Sequence, residues 1–372
     1  MKTKRLMVLI GSVCLALMLA APLMLACTAP SPSPSPTTAP SPTPSPSPTT
    51  APSPSTPPAQ EKYTWRFNGH NSPATASQQF FLNRLPGIIE EYTKGRVQIE
   101  VFSGGELMAN DQVFEACAKG TLEMYDNAPG YVQGFIPVAN VEQGLPCTYR
   151  TNWEVFTHFY DYGLADILEQ EYGSRNVKYL VPIPFGKIGL WANKPVNNIA
   201  DLKDLKVLSF GAWLELLEEL GASSMYLPTT ERYTALMQGV ADASVTVPKF
   251  MYDNKFYEAL DYYILPEWLF GTNDQICMNL DLWESLDEVL QDQLMAALTK
   301  ASILYCGERY KDAVVVQSLC QEVGMEFVTM SDYDDVVAAA ETIWDRIAEE
   351  DSASAQGIET LKNYLRDMNY IK

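Results

Sequence analysis

The chain has 372 residues, with 26 basic against 46 acidic side chains and a formal charge of −20. That balance excludes a nucleic-acid partner, whose phosphates need a basic surface. The length suffices for one large or two medium domains with real cores.

The chain starts basic at Lys2, Lys4 and Arg5, and then runs 21 residues, Leu6 to Ala26, without a charge before Cys27. A positive start, an apolar stretch and small residues at its end read as a secretory signal. A run of that length also spans a bilayer as a retained helix. Residues 23–27, LMLAC, resemble the lipobox of bacterial lipoproteins, with Met24 where leucine is more usual; the resemblance implies lipidation of Cys27. Either reading tethers the chain outside the cytoplasmic membrane. Residues 28–59 contain only Pro, Ser, Thr and Ala, with 13 prolines among 32 residues. Such a tract has nothing to bury and favours extended polyproline II, reaching up to roughly 100 Å at ~3.1 Å per residue. Residues 1–27 are thus a signal with a lipobox-like end, and 28–60 a stalk that holds a body away from the membrane.

The body starts near residue 61. "YTWRFNG" (63–69) has strand composition, and residues 74–95 are helical with a kink expected at Pro86. "RVQIEVF" (96–102) alternates polar and apolar as a half-buried strand does. "NDQVFEACAKG" (110–120) has helix start and stop signals, and a strand follows at 122–126. This succession predicts a largely parallel sheet with flanking helices. After a helical region at 152–172 the pattern begins again: strands at 177–183, 188–196 and 206–210, then helices at 212–221 and 229–239. The restart predicts two α/β lobes rather than one long sheet. Residues 285–324 hold no proline and Gly307 as the one internal glycine. A helix of ~36 residues spans about 54 Å, which is longer than one lobe. Two amphipathic helices, near 333–350 and 354–368, close the chain.

Catalytic constellations are hard to find. The two histidines, His70 and His158, stand far apart in sequence, and HExxH, GxSxG, P-loop and GxGxxG patterns are absent. The five body cysteines are widely spaced with no CxxC, which argues against zinc and leaves one disulfide or free thiols open. His70 lies where a strand ends and a helix is about to start, the position at which open α/β sheets hold ligands. The expectation is a non-enzymatic, two-lobed binding protein closing on a small molecule, with no cofactor and no metal.

The order of motifs resembles the DctP-like substrate-binding proteins of TRAP transporters over nearly all of 61–372. The similar runs are residues 94–131, the stretch FIPVANVEQGLPCTYRTNWE, then NKPVNNIADLKDLKV, LGASSMYLPTTERYTALMQGVADASV, and NDQICMNLDLWESLDEVLQDQL. The resemblance implies a periplasmic-binding-protein-like fold with a hinge of crossing strands and a long helix spanning both lobes. Lobe I is then 61–185 plus about 273–305, and lobe II 186–272 plus about 306–372. It implies delivery of a small organic solute, usually an organic acid, to a paired membrane permease. Carried over by position, the cleft includes His70, Asn71, Asp126 and Asn127 from the first lobe. From the second come Lys187, Leu208, Ser209, Phe210, Trp213, Thr246 and Asn273. Leu208 stands where the family has a carboxylate-clamping arginine, and Thr246 where it has a ligand-binding asparagine. In strand parity Leu208 and Phe210 share a face and Ser209 points away. Lys187 is the nearest replacement cation. The alternatives are a binding protein of an ATP-driven (ABC) importer, or a secreted sensor or divergent enzyme.

Overall fold

The structure, a computed structural model, describes residues 61–227 and 229–372. The expected signal, Cys27 and the stalk lie outside the described residues. The first part of the chain forms β1 (Tyr63–Asn68), α1 (Ala76–Asn83), α2 (Leu85–Tyr92), β2 (Val97–Phe102), α3 (Val113–Ala118) and β3 (Met124–Asn127). Three helices follow, α4 (Ala139–Gln143), α5 (Asn152–Asp161) and α6 (Leu164–Gly173), and then the long β4 (Val177–Ala192). The second part adds β5 (Lys206–Leu208), α7 (Ala212–Glu219), β6 (Ser223–Met225), α8 (Thr229–Met237), β7 (Ala243–Thr246) and α9 (Pro248–Asp253). It closes with β8 (Tyr262–Asn279), α10 (Leu280–Glu284), α11 (Glu288–Glu322), β9 (Glu326–Thr329), α12 (Tyr333–Ala348) and α13 (Ser352–Asp367).

Local chemistry explains several boundaries. Thr75 caps α1 by accepting from the Gln78 N–H. The kink expected at Pro86 is a full break, because Pro86 sits in the first turn of α2. There its missing N–H costs nothing. Asp287 caps α11, its Oδ1 3.0 Å from the Leu290 nitrogen, and the 35 residues of that helix extend about 52 Å.

The strands join in the order β2-β1-β3-β8-β4-β7-β5-β6, with β9 on β8. This corrects two expectations. First, hydrogen bonding is continuous, so the two α/β halves share one sheet instead of owning one each. Second, the sheet is mixed: β3–β8, β8–β4 and β4–β7 are antiparallel, while the outer pairs are parallel. The physical reason is that two very long strands belong to both halves. The early part of β4 pairs the late part of β8 (Val177↔Asn279), and its late part pairs the early part of β8 (Ala192↔Tyr262). The segments read as separate strands at 177–183 and 188–196 are therefore one ribbon. Four register shifts between Tyr179 and Leu190 break its regularity, and Gly186 takes φ +117°.

Among the described residues, buried apolar side chains fall into three clusters. One covers a whole face of the sheet, running from Val113 and Tyr125 through Trp213 to Trp344 and Leu365. The opposite face is divided between a first cluster (Phe67, Phe81, Leu180, Tyr305) and a second (Trp191, Leu208, Tyr263, Cys320). Helix α11 contributes Leu290 to Tyr305 to the first of these and Val316 and Cys320 to the second. The long helix thus bridges the divided face. On the continuous face, α12 packs on α7 while α13 packs on α4, α5 and α6. The five cysteines of the described residues are free thiols.

Candidate functional site

The carboxyl ends of β1 and β3 bring the first group of expected residues together. His70 follows β1 and turns its Nδ1 to Asp126 Oδ2 at 3.0 Å; its Nε2 lies 3.8 Å from Asp274 Oδ2. Asp126 pairs in register with Ile276, so Asp274, two residues away on β8, shares its face of the sheet. Both carboxylates are buried, and the imidazole is 15% exposed. The Asn71 amide lies 3.2 Å from His70 Nε2, and Asn110 Nδ2 donates to the His70 carbonyl at 3.0 Å. Asn127 points to the other face, where its Nδ2 donates to the Asn110 carbonyl at 3.0 Å.

Burial works against charge on His70, but Asp274 and Asp126 outweigh it and push its pKa up to about 9. Burial, with Asp126 adding and His70 opposing, raises Asp274 to about 8. One proton-bearing ring therefore serves two carboxyl groups. On the continuous face a second polar group forms around Glu142 of α4, raised to about 8 by burial despite hydrogen bonds that favour its charge. The Tyr172 hydroxyl donates to Glu142 at 2.7 Å, and Gln275 sits 3.1 Å from the same hydroxyl.

The second-half residues separate. Leu208 is fully buried in the core with Trp191 and Tyr263, and it does not line an opening. Phe210 packs instead against the continuous face. The parity expectation fails here because β5 ends at Leu208, and Gly211 at φ +51° starts a turn. Ser209 is buried, its N–H donating to the Met225 carbonyl at 2.9 Å. Trp213 is a core side chain that also borders a narrow recess with Gln133, Gln143, Leu145 and Phe210. Thr246 ends β7 opposite Gly189, and its carbonyl accepts from Trp191 Nε1 at 3.3 Å. Asn273 is buried on β8 across from Pro184.

Lys187 lies in the crossing region and is ion-paired with Glu267 at 2.8 Å. Glu267 Oε1 also accepts from Gln317 Nε2 at 3.0 Å and the Tyr263 hydroxyl at 3.1 Å. Sequence reasoning named neither Glu267 nor Asp274. For Asp274 a signal was present: Asn273, Asp274 and Gln275 are three consecutive polar residues inside a buried strand, and buried polar side chains demand a partner or a purpose.

A family model described as bacterial extracellular solute-binding protein, family 7, matches residues 68–351. A monocarboxylate 2-oxoacid-binding periplasmic protein of Nostoc sp. is 28% identical over 223 residues, 58% of this chain and 60% of that protein. An ectoine/5-hydroxyectoine-binding periplasmic protein of Ruegeria pomeroyi is 26% identical over 208 residues, 55% of this chain and 60% of that protein. The matched region thus spans about three fifths of each relative's length. A crystal structure of a TRAP periplasmic solute-binding protein from Chromohalobacter salexigens, with (S)-(+)-2-amino-1-propanol bound, superposes with a TM-score of 0.71. It is 21% identical and covers 82% of this chain and 96% of its own, which establishes the fold.

Proposed function

This chain belongs to the family-7 bacterial extracellular solute-binding proteins, and on that premise we propose that it is the capture component of a TRAP-type secondary transporter. It takes a small organic solute into the cleft between two lobes and hands it to membrane permease subunits. Lobe I comprises 61–185 plus about 273–305, and lobe II 186–272 plus about 306–372, with α13 laid back over α4, α5 and α6 of the first. Lipid on Cys27 and the stalk at 28–60 keep the body near its permease.

The observation that carries this reading is the pair of crossing strands. β4 and β8 are the hydrogen-bonded link between halves, with α11 a third covalent crossing, and the register breaks of the two strands fall midway, around Gly186. A ribbon with a weakened ladder and a glycine at positive φ bends there more readily than elsewhere. The bend moves the ends of β5 and β7 relative to those of β1 and β3, which is closure on a ligand. Relatives name a 2-oxoacid and ectoine as their solutes. In this chain the arginine-like clamp is missing, since Leu208 is core and Lys187 faces Glu267. A simple carboxylate entering here lacks the planar bidentate partner that a guanidinium offers.

The test is thermal shift of the full chain, in mild detergent, against an organic-solute library, followed by small-angle scattering with the best hit. A solute at 100 times its dissociation constant should stabilise the fold by about 2.7 kcal/mol, and the particle should contract. Stabilisation with an unchanged radius of gyration would refute closure.

A further inference from the structure

The charge inventory of the cleft favours a different ligand chemistry from an acid. Asp126, Asp274 and Glu267 supply three carboxyl groups, against His70 and Lys187 as partners within 4 Å. Glu267 is served by Lys187, Tyr263 and Gln317. Asp126 and Asp274 share one imidazole, and the Oδ1 atom of each is buried without a hydrogen-bond partner. Two ionised carboxylates with one counter-ion in a buried place are costly. The other charged or titratable groups facing them do not make up the shortfall. Tyr305 of α11 donates to Ser77 Oγ at 2.8 Å, and Arg309 is paired with Asp312 at 3.1 Å and Glu308 at 3.8 Å, its Nε buried without a partner; Glu142, another buried acid, lies across the sheet.

We propose that the His70–Asp126–Asp274 cluster is the subsite for a cationic group of the solute, an ammonium or a comparably donor-rich head, held by the two unpartnered carboxylate oxygens. This rests on the reading of the cleft as the capture site and names the class of solute taken there. Without solute, the deficit of one positive charge is met by a proton kept in the cluster, consistent with the raised pKa of Asp274. The entering cation takes the place of that proton, which leaves for solvent. The contact that yields is the longer one, His70 Nε2 to Asp274 at 3.8 Å, while the 3.0 Å bond to Asp126 keeps the ring oriented. A hard metal ion fits less well: Ca²⁺ wants about six to eight oxygens, and one corner here is an imidazole.

The experiment uses the full chain in mild detergent with three arms: ethanolamine and 2-amino-1-propanol; pyruvate and succinate; and calcium chloride alone. The expected result is a raised melting temperature with the amines. Calorimetry in buffers of different ionisation enthalpy should show about one proton released per solute near neutral pH. Affinity should rise with pH up to about 8. Asp274→Asn should weaken amine binding about a hundredfold or more. Proton release by the unaltered chain is a second readout should that variant fold poorly. Acids that bind in place of amines, and as tightly to Asp274→Asn, overturn this inference while leaving solute capture standing. Calcium alone reproducing the shift overturns it in favour of a metal site. A flat response to all three arms also overturns it, whereas failure of the wider library to stabilise the chain is what removes the capture reading itself.

Discussion

Gly189→Ala tests how the crossing ribbon is packed. A β-carbon at 189 would meet Tyr263 Cε2 at 2.2 Å and Cζ at 2.9 Å. Reaching an ordinary contact of 3.4 Å needs a shift of about 1.2 Å. The Tyr263 ring has little freedom to give it: it stacks on Trp191 at 3.7 Å and 5°, meets Phe327 edge-on at 5.4 Å, and is fully buried. Its hydroxyl donates to Glu267, the partner of Lys187, at 3.1 Å. Overpacking of this kind costs about 1–3 kcal/mol, and displacing the ring weakens an aromatic pair worth roughly 0.5–1.5 kcal/mol. These are not strictly additive, and ~3 kcal/mol is the expected loss, a fall in Tm of about 6 °C at ~2 °C per kcal/mol for a body of this size. Urea melts of Gly189→Ala, Tyr263→Leu and the double variant form the assay. The smaller residue at 263 should relieve the clash, so the double variant should be more stable than the sum of singles by about 1–3 kcal/mol. A Gly189→Ala protein within ~0.5 kcal/mol of the parent, or a strictly additive cycle, would refute the claim that Tyr263 is held in place.

Gly186→Ala separates backbone strain from crowding: its nearest neighbour, Arg309 Cβ, is 4.0 Å away, but φ is +117°, so a loss of ~1–3 kcal/mol is expected from conformation alone, and urea melts showing no loss would deny the strained bend. Folding stability should fall as pH rises from about 6.5 to 9, above the range in which buried His158, lowered to about 3, acts in the opposite sense, because three groups hold protons more tightly in the fold than in the unfolded chain. His70 contributes stability that is complete below its unfolded value near 6.5 and is lost as pH passes through about 9. Asp274 and Glu142, both raised to about 8, add a growing penalty once the unfolded carboxyls ionise above about 4. Melts of Asp274→Asn across that range should show a shallower decline, and a parallel curve would remove Asp274 from the account. Cys27→Ser should abolish incorporation of labelled palmitate in a bacterial host, and persistent label would place the lipid elsewhere.

Much of the architecture was legible because it rests on periodicity and punctuation. The long helix showed itself as a run poor in breakers, and the restart of the αβ pattern after residue 176 revealed two halves. What periodicity could not show is how strands associate. Residues 177–183 and 188–196 look like two strands since Pro182, Pro184 and Gly186 interrupt them. The ladder from β8 carries the chain across those interruptions with register shifts in place of a turn. Pairing partners, not local propensity, decided the outcome.

The candidate site shows the same limit at the level of single residues, with a consequence for specificity. Alternation along 206–210 would put Leu208 and Phe210 on one face, but that rule holds only while the strand lasts, and β5 ends at Leu208. Replacing an arginine by leucine at that position therefore does more than delete a charge. Leu208 joins a core with Trp191 and Tyr263, so position 208 itself presents no cation. Lys187 does not compensate, as its ammonium already faces Glu267. On the proposed reading, the proton held at Asp274 leaves Asp126, Asp274 and His70 without net charge near neutral pH, and its release is what favours an entering cation. Such a site disfavours a lone carboxylate because position 208 offers it no guanidinium clamp. On the proposed reading, Leu208 and Asp274, on different strands of the same sheet, both favour a cationic over an acidic solute.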